Sequence, residues 1–106
     1  MHAMKKLMPL LAVFALALAS CSGPSPDDLR RSDPDGHAAC VHFAGSLAAP
    51  EGLDETNRKK AAEHGSAALT AAIRDAVSTG ADGQPEIRDG QAFAKACKAQ
   101  GFDLDN

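Results

Sequence analysis

The sequence predicts an all-α fold, a small domain of three helices joined by one disulfide, which follows an export signal and a flexible tether. Two observations predict this fold class. After residue 35, alanines and a few larger apolar residues recur every three or four positions, which is the spacing of one helix face. No stretch shows sustained alternation of apolar and polar residues, and β-branched residues are scarce, so no strand is predicted.

The first 20 residues have the layout of a secretory signal peptide. They read MHAMKKLMPLLAVFALALAS, with a basic start carrying Lys5 and Lys6, an apolar segment over residues 7–18 and small residues at the end. A helix that spans a membrane needs about 20 predominantly apolar residues. Because this segment is shorter, we expect residues 1–20 to be an export signal that is removed.

The sequence LASC at residues 18–21 resembles the lipobox of bacterial lipoproteins. Small side chains before the cysteine suit a peptidase cleft, and the Cys21 thiol is a nucleophile that a diacylglyceryl group can alkylate. The resemblance implies that Cys21 is the first residue of the mature protein and carries this lipid. It also implies a lipid-anchored location on the extracytoplasmic face of the cell membrane.

Lipidation of Cys21 accounts for an odd number of cysteines. The chain has 3 cysteines, and lipidation of one leaves Cys40 and Cys97 as a pair in an oxidising compartment, where disulfides persist. We therefore expect a disulfide between Cys40 and Cys97. A chain-entropy estimate for closing the long loop between them gives roughly 4 kcal/mol of stabilisation.

Removal of the export signal makes the chain more acidic. The 11 Lys and Arg fall to 9 while all 14 Asp and Glu remain, so the formal net charge goes from −3 to −5. A surface of this charge is repelled by nucleic acid and by anionic lipid headgroups. Neither is therefore expected to be a partner.

Residues 21–35 are predicted to be a flexible tether that carries the lipid on Cys21. The sequence CSGPSPDDLRRSDPD contains three prolines, charges of both signs and a single large apolar residue, Leu29. Such a segment buries too little apolar surface to offset the entropy lost on ordering. The folded, disulfide-linked helical domain is accordingly expected to cover residues 36–106.

The first predicted helix covers about residues 35–49 and stops before Pro50. Its apolar face carries one half of the expected disulfide. The residues at the spacing of this face are Cys40, Phe43, Ala44 and Leu47.

The second predicted helix is the longest and runs from about residue 54 to Gly80, a typical helix stop. The basic run at residues 58–60 is expected on its solvated surface. The residues expected on its buried face are Ala61 or Ala62, Gly65, Ala68, Leu69, Ala72, Ile73, Ala76 and Val77.

The third predicted helix covers residues 85–101, either as one helix or as two shorter pieces around Gly90, with Pro85 suited to its first turn. The sequence FDLDN that follows is predicted to be an acidic tail. The disulfide then joins the first helix to the third. The residues that share the apolar face of the third helix are Ile87, Gly90, Phe93, Ala94, Cys97 and Gly101.

Three histidines raise the alternative of a metal site. His37 and Cys40 are three positions apart and fall on one helix face, as metal ligands can, and His64 can approach from the second helix. However, His42 is off that face, and an oxidised Cys40 is no ligand. The preferred interpretation is no metal and no cofactor. The alternative is an extracytoplasmic metal or small-ligand carrier that uses His37, His42 and His64.

No catalytic residue is predicted. Ser46 and Ser66 adjoin glycines, but both lie inside helical patterns, whereas a nucleophile elbow needs a strand-to-helix turn. A CxxC motif for thiol exchange is absent. Large apolar side chains are few, which leaves little volume for a buried organic cofactor. We therefore expect a protein that is not an enzyme.

The chain also resembles the small Ala-, Gly- and Asp-rich lipoproteins of actinobacteria and their phages. The resemblance is carried by LASC at residues 18–21, AACVHFAGSLA at 38–48 and AFAKACKAQG at 92–101. It implies a membrane-anchored module that binds a protein partner at the cell envelope. For a gene of phage or prophage origin, it implies superinfection exclusion by obstruction of an envelope receptor or a DNA-entry channel.

Overall fold

The computed structural model of the chain describes residues 23–49 and 52–104, so the expected export signal and the lipidation of Cys21 lie outside the described residues. The described part is mostly helical and carries one disulfide, which confirms the fold class at this level. None of its helices is long and apolar enough to cross a membrane. In chain order, its elements are α1 (Pro26–Ser32), α2 (Pro34–Ala48), α3 (Leu53–Ser66), α4 (Ala71–Asp75), β1 (Ser78–Thr79), β2 (Pro85–Glu86) and α5 (Gly90–Ala99).

Helix α1 lies where the sequence predicts a flexible tether. Its start is capped, because the side-chain oxygen of Ser25 accepts a hydrogen bond from the Asp28 amide at 3.2 Å and Pro26 occupies the first turn. Leu29 is 4 % exposed and belongs to the core. The structure therefore differs from the expected tether over residues 21–35 from Pro26 onwards. A capped start and one inward-facing leucine are enough to dock this short helix on the domain.

Helices α2 and α3 form the main layer of the domain and contact each other more extensively than any other two elements. The bounds of α2 agree with the first predicted helix to within one residue. Phe43 of α2 packs against Phe93 of α5, with 5.0 Å between the ring centroids. The buried apolar residues around this pair are Leu29, Ala39, Cys40, Ala61, Ala62, Ala68, Ile73, Ile87, Ala94, Ala96, Cys97 and Leu104.

Small residues let α3 approach its neighbours closely. Ala61 and Ala62 are both 0 % exposed. A Cβ atom built on Gly65 would lie 2.7 Å from Cγ2 of Val77 and 3.2 Å from the Phe93 ring, so a side chain at this position would collide with the core. The buried face of α3 is thus close-packed although it contributes little side-chain volume.

The second predicted helix is broken into two, α3 and α4. Helix α3 ends at Ser66, and α4 begins after Thr70. Between them, the amides of Leu69 and Thr70 donate hydrogen bonds to the carboxylate of Asp33. The prediction of one helix over residues 54–80 is wrong because this tertiary interaction gives the two amides a charged acceptor in place of a helical carbonyl. As a result Leu69, which was expected in the core, is 71 % exposed.

The Asp33 carboxylate connects two helix starts and is 2 % exposed. It accepts hydrogen bonds from the amides of Gly36 at 3.0 Å, Leu69 at 3.0 Å and Thr70 at 2.8 Å. Gly36 lies in the first turn of α2, and Thr70 precedes α4. Burial alone would raise the pKa of this carboxyl, but the hydrogen bonds from the amides and from the Thr70 side chain outweigh it. The pKa of Asp33 is therefore lowered.

The third predicted helix begins later than expected, at Gly90. Ahead of it, β1 and β2 pair in antiparallel fashion, so Pro85 lies in a short strand and not in a first helical turn. Asp89 caps α5, since its carboxylate accepts hydrogen bonds from the amides of Gln91 and Ala92, both at 3.1 Å. The prediction that the chain has no strand is therefore wrong for β1 and β2, which are two residues long each. The helix begins after its cap, Asp89, and not at Pro85 as the sequence pattern predicted.

Cys40 of α2 and Cys97 of α5 form the expected disulfide, with 5.6 Å between their Cα atoms. Both residues are 0 % exposed. Beyond α5 the chain turns back onto the domain, where Leu104 is 6 % exposed and Phe102 packs against the core. The apolar positions of the predicted acidic tail are therefore part of the folded domain.

Removal of the disulfide is expected to destabilise the domain. The double variant C40A/C97A should lose about 4 kcal/mol of unfolding free energy, because the unfolded chain regains the entropy of a loop that joins residues 57 positions apart. Urea unfolding followed by circular dichroism measures this loss. Wild-type protein under strong reductant is the matched control and should approach the variant. An unchanged unfolding midpoint in the variant would contradict a stabilising bridge.

Acid is expected to destabilise the domain through Asp33. Because its pKa is lower in the folded state than the ordinary value of 3.8, the unfolded chain binds more protons between the two pKa values. The contribution of Asp33 is thus complete above about pH 5 and is lost as the pH falls through the folded-state pKa. Asp33→Asn should remove this acid dependence and cost about 1–3 kcal/mol at neutral pH, since at least one buried amide loses its acceptor.

The matched control for this prediction is Asp103→Asn, because Asp103 is an exposed carboxylate of the same type. It should leave both the stability at neutral pH and the acid dependence close to those of the wild type. Unfolding curves at pH 3, 4, 5 and 7 measure both variants. An acid dependence for Asp33→Asn equal to that of the wild type would refute the role given to Asp33.

Candidate functional site

Two of the histidines in the alternative metal interpretation meet between α2 and α3. The rings of His42 and His64 stack with 5.4 Å between their centroids and 8° between their planes. Helix α2 supplies His42 and α3 supplies His64. The helix pair that forms the main layer of the domain thus also brings these two side chains together.

The carboxylate of Asp35 orients the His64 ring. Its Oδ1 lies 3.0 Å from Nδ1 of His64. Both side chains are partly exposed, His64 at 40 % and Asp35 at 49 %. Because Nδ1–H of His64 donates to this carboxylate, Nε2 is the ring nitrogen that can contact other groups.

The histidine pair does not have the arrangement of a metal centre. Ring lone pairs lie in the ring planes, so two parallel stacked rings do not aim at one ion about 2.0–2.1 Å from each nitrogen. His37 lies elsewhere, with its ring centroid 5.7 Å from that of Phe102, and Cys40 is held in the disulfide. Within residues 23–49 and 52–104, no group of three or more His, Cys, Asp or Glu side chains is placed to hold a metal ion.

Burial makes His42 difficult to protonate. Desolvation lowers the pKa of His42, and the nearby His64 and Lys60 lower it further. A hydrogen bond with the side chain of Asn57 acts in the opposite direction and is outweighed. The neutral form of His42 is therefore the one that suits the stacked arrangement.

Two clefts meet at Arg58 of α3. One has a volume of about 380 Å³ and lies between α3 and the strand pair, where Lys59 and three acidic side chains line it. The other has a volume of about 310 Å³ and lies among α2, α3 and the start of α5. We call it the Arg58 cleft. It is lined by Phe43, Leu47, Arg58, Arg88, Gly90 and Gln91, together with Asp89.

The guanidinium of Arg58 is held in place by a backbone carbonyl and an aromatic ring. Its Nε and Nη2 donate hydrogen bonds to the Ile87 carbonyl oxygen at 3.2 and 2.8 Å. Its Cζ lies 5.9 Å from the centroid of the Phe43 ring, within the range of a cation–π contact. Arg58 is therefore a rigid, partly buried cation and not a mobile surface charge.

Sequence reasoning missed this role for Arg58. It placed the whole basic run at residues 58–60 on a solvated surface, and the structure does expose Lys59 and Lys60. Arg58, however, precedes the buried Ala61 and Ala62 by three and four positions and so shares their helix face. That spacing was the signal that could have separated Arg58 from its two neighbours.

The lowered pKa of His42 predicts a pH effect on stability. Because the folded-state pKa lies below the ordinary value of 6.5, the unfolded chain binds more protons between the two values. The stability associated with neutral His42 is thus present above about pH 6.5 and is lost as the pH falls through the folded-state pKa. His42→Gln should remove this part of the pH dependence in urea unfolding measured from pH 5 to pH 8.

His37→Gln is the matched control, because it removes a histidine of the same helix outside the stacked pair. This variant should retain the wild-type fall in stability below pH 6.5. Identical pH profiles for the His42→Gln and wild-type proteins would show that His42 does not carry the effect.

No family model, no curated protein and no solved structure matches the chain. What the site binds is therefore inferred from the geometry and charge of the described residues.

Proposed function

We propose that the chain is a lipid-anchored extracytoplasmic lipoprotein whose helical domain is a non-enzymatic protein-interaction module at the cell envelope. The observation that carries this proposal is the disulfide between Cys40 and Cys97, both of which are 0 % exposed. Structural disulfides persist in compartments outside the reducing cytoplasm. A domain held together by one is thus suited to the outer side of the membrane.

The anchor in this proposal is a diacylglyceryl group on Cys21. The disulfide takes two of the 3 cysteines in the sequence, and Cys21 is the third. It stands in the LASC sequence after an apolar segment with a basic start. A single acyl chain gives only reversible membrane binding, whereas two or more give a stable anchor, since each buried methylene is worth about 0.8 kcal/mol.

The two clefts at Arg58 favour contact with a protein over binding of a small organic molecule. Their volumes of about 380 and 310 Å³ are at the low end of the range for small-molecule sites. Charged side chains make up most of the wall of the larger cleft, whereas small-molecule sites are lined predominantly by apolar groups. Beside the smaller cleft, the Leu47 side chain is 40 % exposed. Arginine is one of the residues enriched among those that contribute most to protein interfaces.

The anchor is tested by Cys21→Ser, with Ser20→Ala as the matched control. Cys21→Ser should release the protein from the membrane fraction, because a hydroxyl is not alkylated in place of the thiol. Ser20→Ala keeps a small residue before the cysteine and should leave the protein in that fraction. Mass spectrometry of the wild-type product should show a diacylglyceryl adduct on Cys21. Retention of Cys21→Ser in the membrane, or an unmodified Cys21 in the wild type, would overturn the anchor.

A further inference from the structure

We propose that the Arg58 cleft binds a carboxylate side chain carried by an otherwise apolar segment of the protein partner. This inference rests on the proposed function and names the surface and the chemistry that the interaction uses. It follows from three features of the cleft: an arginine whose charge is not neutralised by a described carboxylate, a second arginine at the rim, and an apolar wall.

The first feature is the state of the Arg58 guanidinium. The acceptor of its two hydrogen bonds is the Ile87 carbonyl, which carries no formal charge. Among the described residues, the close contacts between basic and acidic side chains are Arg30–Asp27, Arg88–Glu86 and the hydrogen bond between His64 and Asp35, and none includes Arg58. A guanidinium has five N–H donors in a fixed fork that matches a carboxylate. Donors of Arg58 thus remain for a ligand.

Gly90 gives a ligand access to that guanidinium. A Cβ atom built on Gly90 would lie 3.2 Å from Nη1 and 3.3 Å from Nη2 of Arg58. Any larger residue would therefore press against the nitrogens that face the cleft. Asp89, the acidic neighbour in the wall, already accepts hydrogen bonds from the amides of Gln91 and Ala92 at the start of α5.

The second feature is Arg88, whose side chain is 65 % exposed at the rim. Its Nε donates to Glu86 at 2.8 Å and its Nη2 donates to the Thr79 carbonyl at 2.8 Å. These two contacts fix the direction of the side chain, although Glu86 offsets part of its charge. Arg88 is therefore placed to assist the binding of an anion, while Arg58 carries most of the attraction.

The third feature, the apolar wall, decides between possible anions. Leu47 is 40 % exposed and gives the cleft an accessible aliphatic side chain beside the cation, whereas Phe43 is 0 % exposed and supports the Arg58 guanidinium from below. The chain as a whole has a formal net charge of −3, which repels nucleic acid and anionic membrane surfaces. A single carboxylate among apolar residues carries one negative charge and therefore meets less of this repulsion than a polyanion does, while it matches the arginine and the exposed Leu47 side chain.

The test uses the purified protein in the form that the cell produces and two peptides that differ in one group. These are Ac-Leu-Glu-Leu-NH2 and its uncharged counterpart Ac-Leu-Gln-Leu-NH2. In ¹H–¹⁵N spectra, the glutamate peptide should shift the amide signals of Leu47, Gly90 and Gln91 in a saturable manner. The glutamine peptide should bind at least about tenfold more weakly, because it loses the charge-assisted hydrogen bonds.

Several variants of the cleft separate a loss of binding from a loss of folding. Arg58→Lys retains the charge but loses the fork and should weaken binding of the glutamate peptide by about tenfold. Because it also removes donors from the Ile87 carbonyl, Arg88→Gln and Leu47→Ser serve as variants at exposed rim side chains. Circular dichroism checks that each is folded, and each should weaken binding by a few fold. Arg30→Gln, at a side chain that is 62 % exposed on α1, is the matched control and should bind like the wild type.

Two results would overturn the inference: equal binding of both peptides, or no shift at Leu47, Gly90 and Gln91 with either one. Failure of the proposed function is measured separately. If Cys21→Ser is released from the membrane as expected but the peptides do not discriminate, the anchor stands and the carboxylate site is rejected. If Cys21→Ser stays in the membrane fraction while the glutamate peptide binds as described, the site stands and the anchor is rejected.

Discussion

The disulfide between Cys40 and Cys97 is the bond on which the rest of this small domain depends. The five largest fully buried side chains are Phe43, Phe93, Ile73 and the two cysteines themselves. Most of the other buried positions are alanines, which bury little apolar area and so contribute little hydrophobic free energy. Because the stability of a domain is only about 5–15 kcal/mol, a cross-link worth a few kcal/mol decides whether such a core holds.

The Asp33 carboxylate stabilises the backbone between helices, as the disulfide stabilises the packing of the core. A buried carboxylate is costly unless its oxygens are fully satisfied, and here three amides satisfy them. The carboxylate also caps α2 and accepts hydrogen bonds from the segment that separates α3 from α4. One side chain thus caps one helix and provides the acceptor for the two amides between two others.

The surface chemistry follows from this compact helical frame. Where α2 and α3 face each other they bring His42 and His64 together, and where α3 approaches the strand pair it fixes Arg58 on the Ile87 carbonyl. The histidine pair has the geometry of a packed contact, whereas Arg58 has donors that no described carboxylate accepts beside the exposed Leu47 side chain. Of the two, the arginine is the better candidate for recognition, since rigid arginines in partly desolvated surroundings contribute strongly to protein interfaces.

The sequence by itself determined the helical class, the bounds of α2 to within one residue and the pair of cysteines that the disulfide joins. These properties are local or countable: apolar spacing identifies a helix, and setting aside Cys21 of the predicted lipobox leaves an even pair of cysteines. It did not determine the docking of Leu29, the break at Leu69 and Thr70 or the role of Arg58. The break depends on the Asp33 carboxylate, 36 and 37 positions away, and the role of Arg58 depends on the Ile87 carbonyl, 29 positions away. The spacing of Arg58 from Ala61 and Ala62 indicates its helix face, but only the tertiary structure supplies its acceptor, because a partner at a long sequence separation leaves no periodic signal.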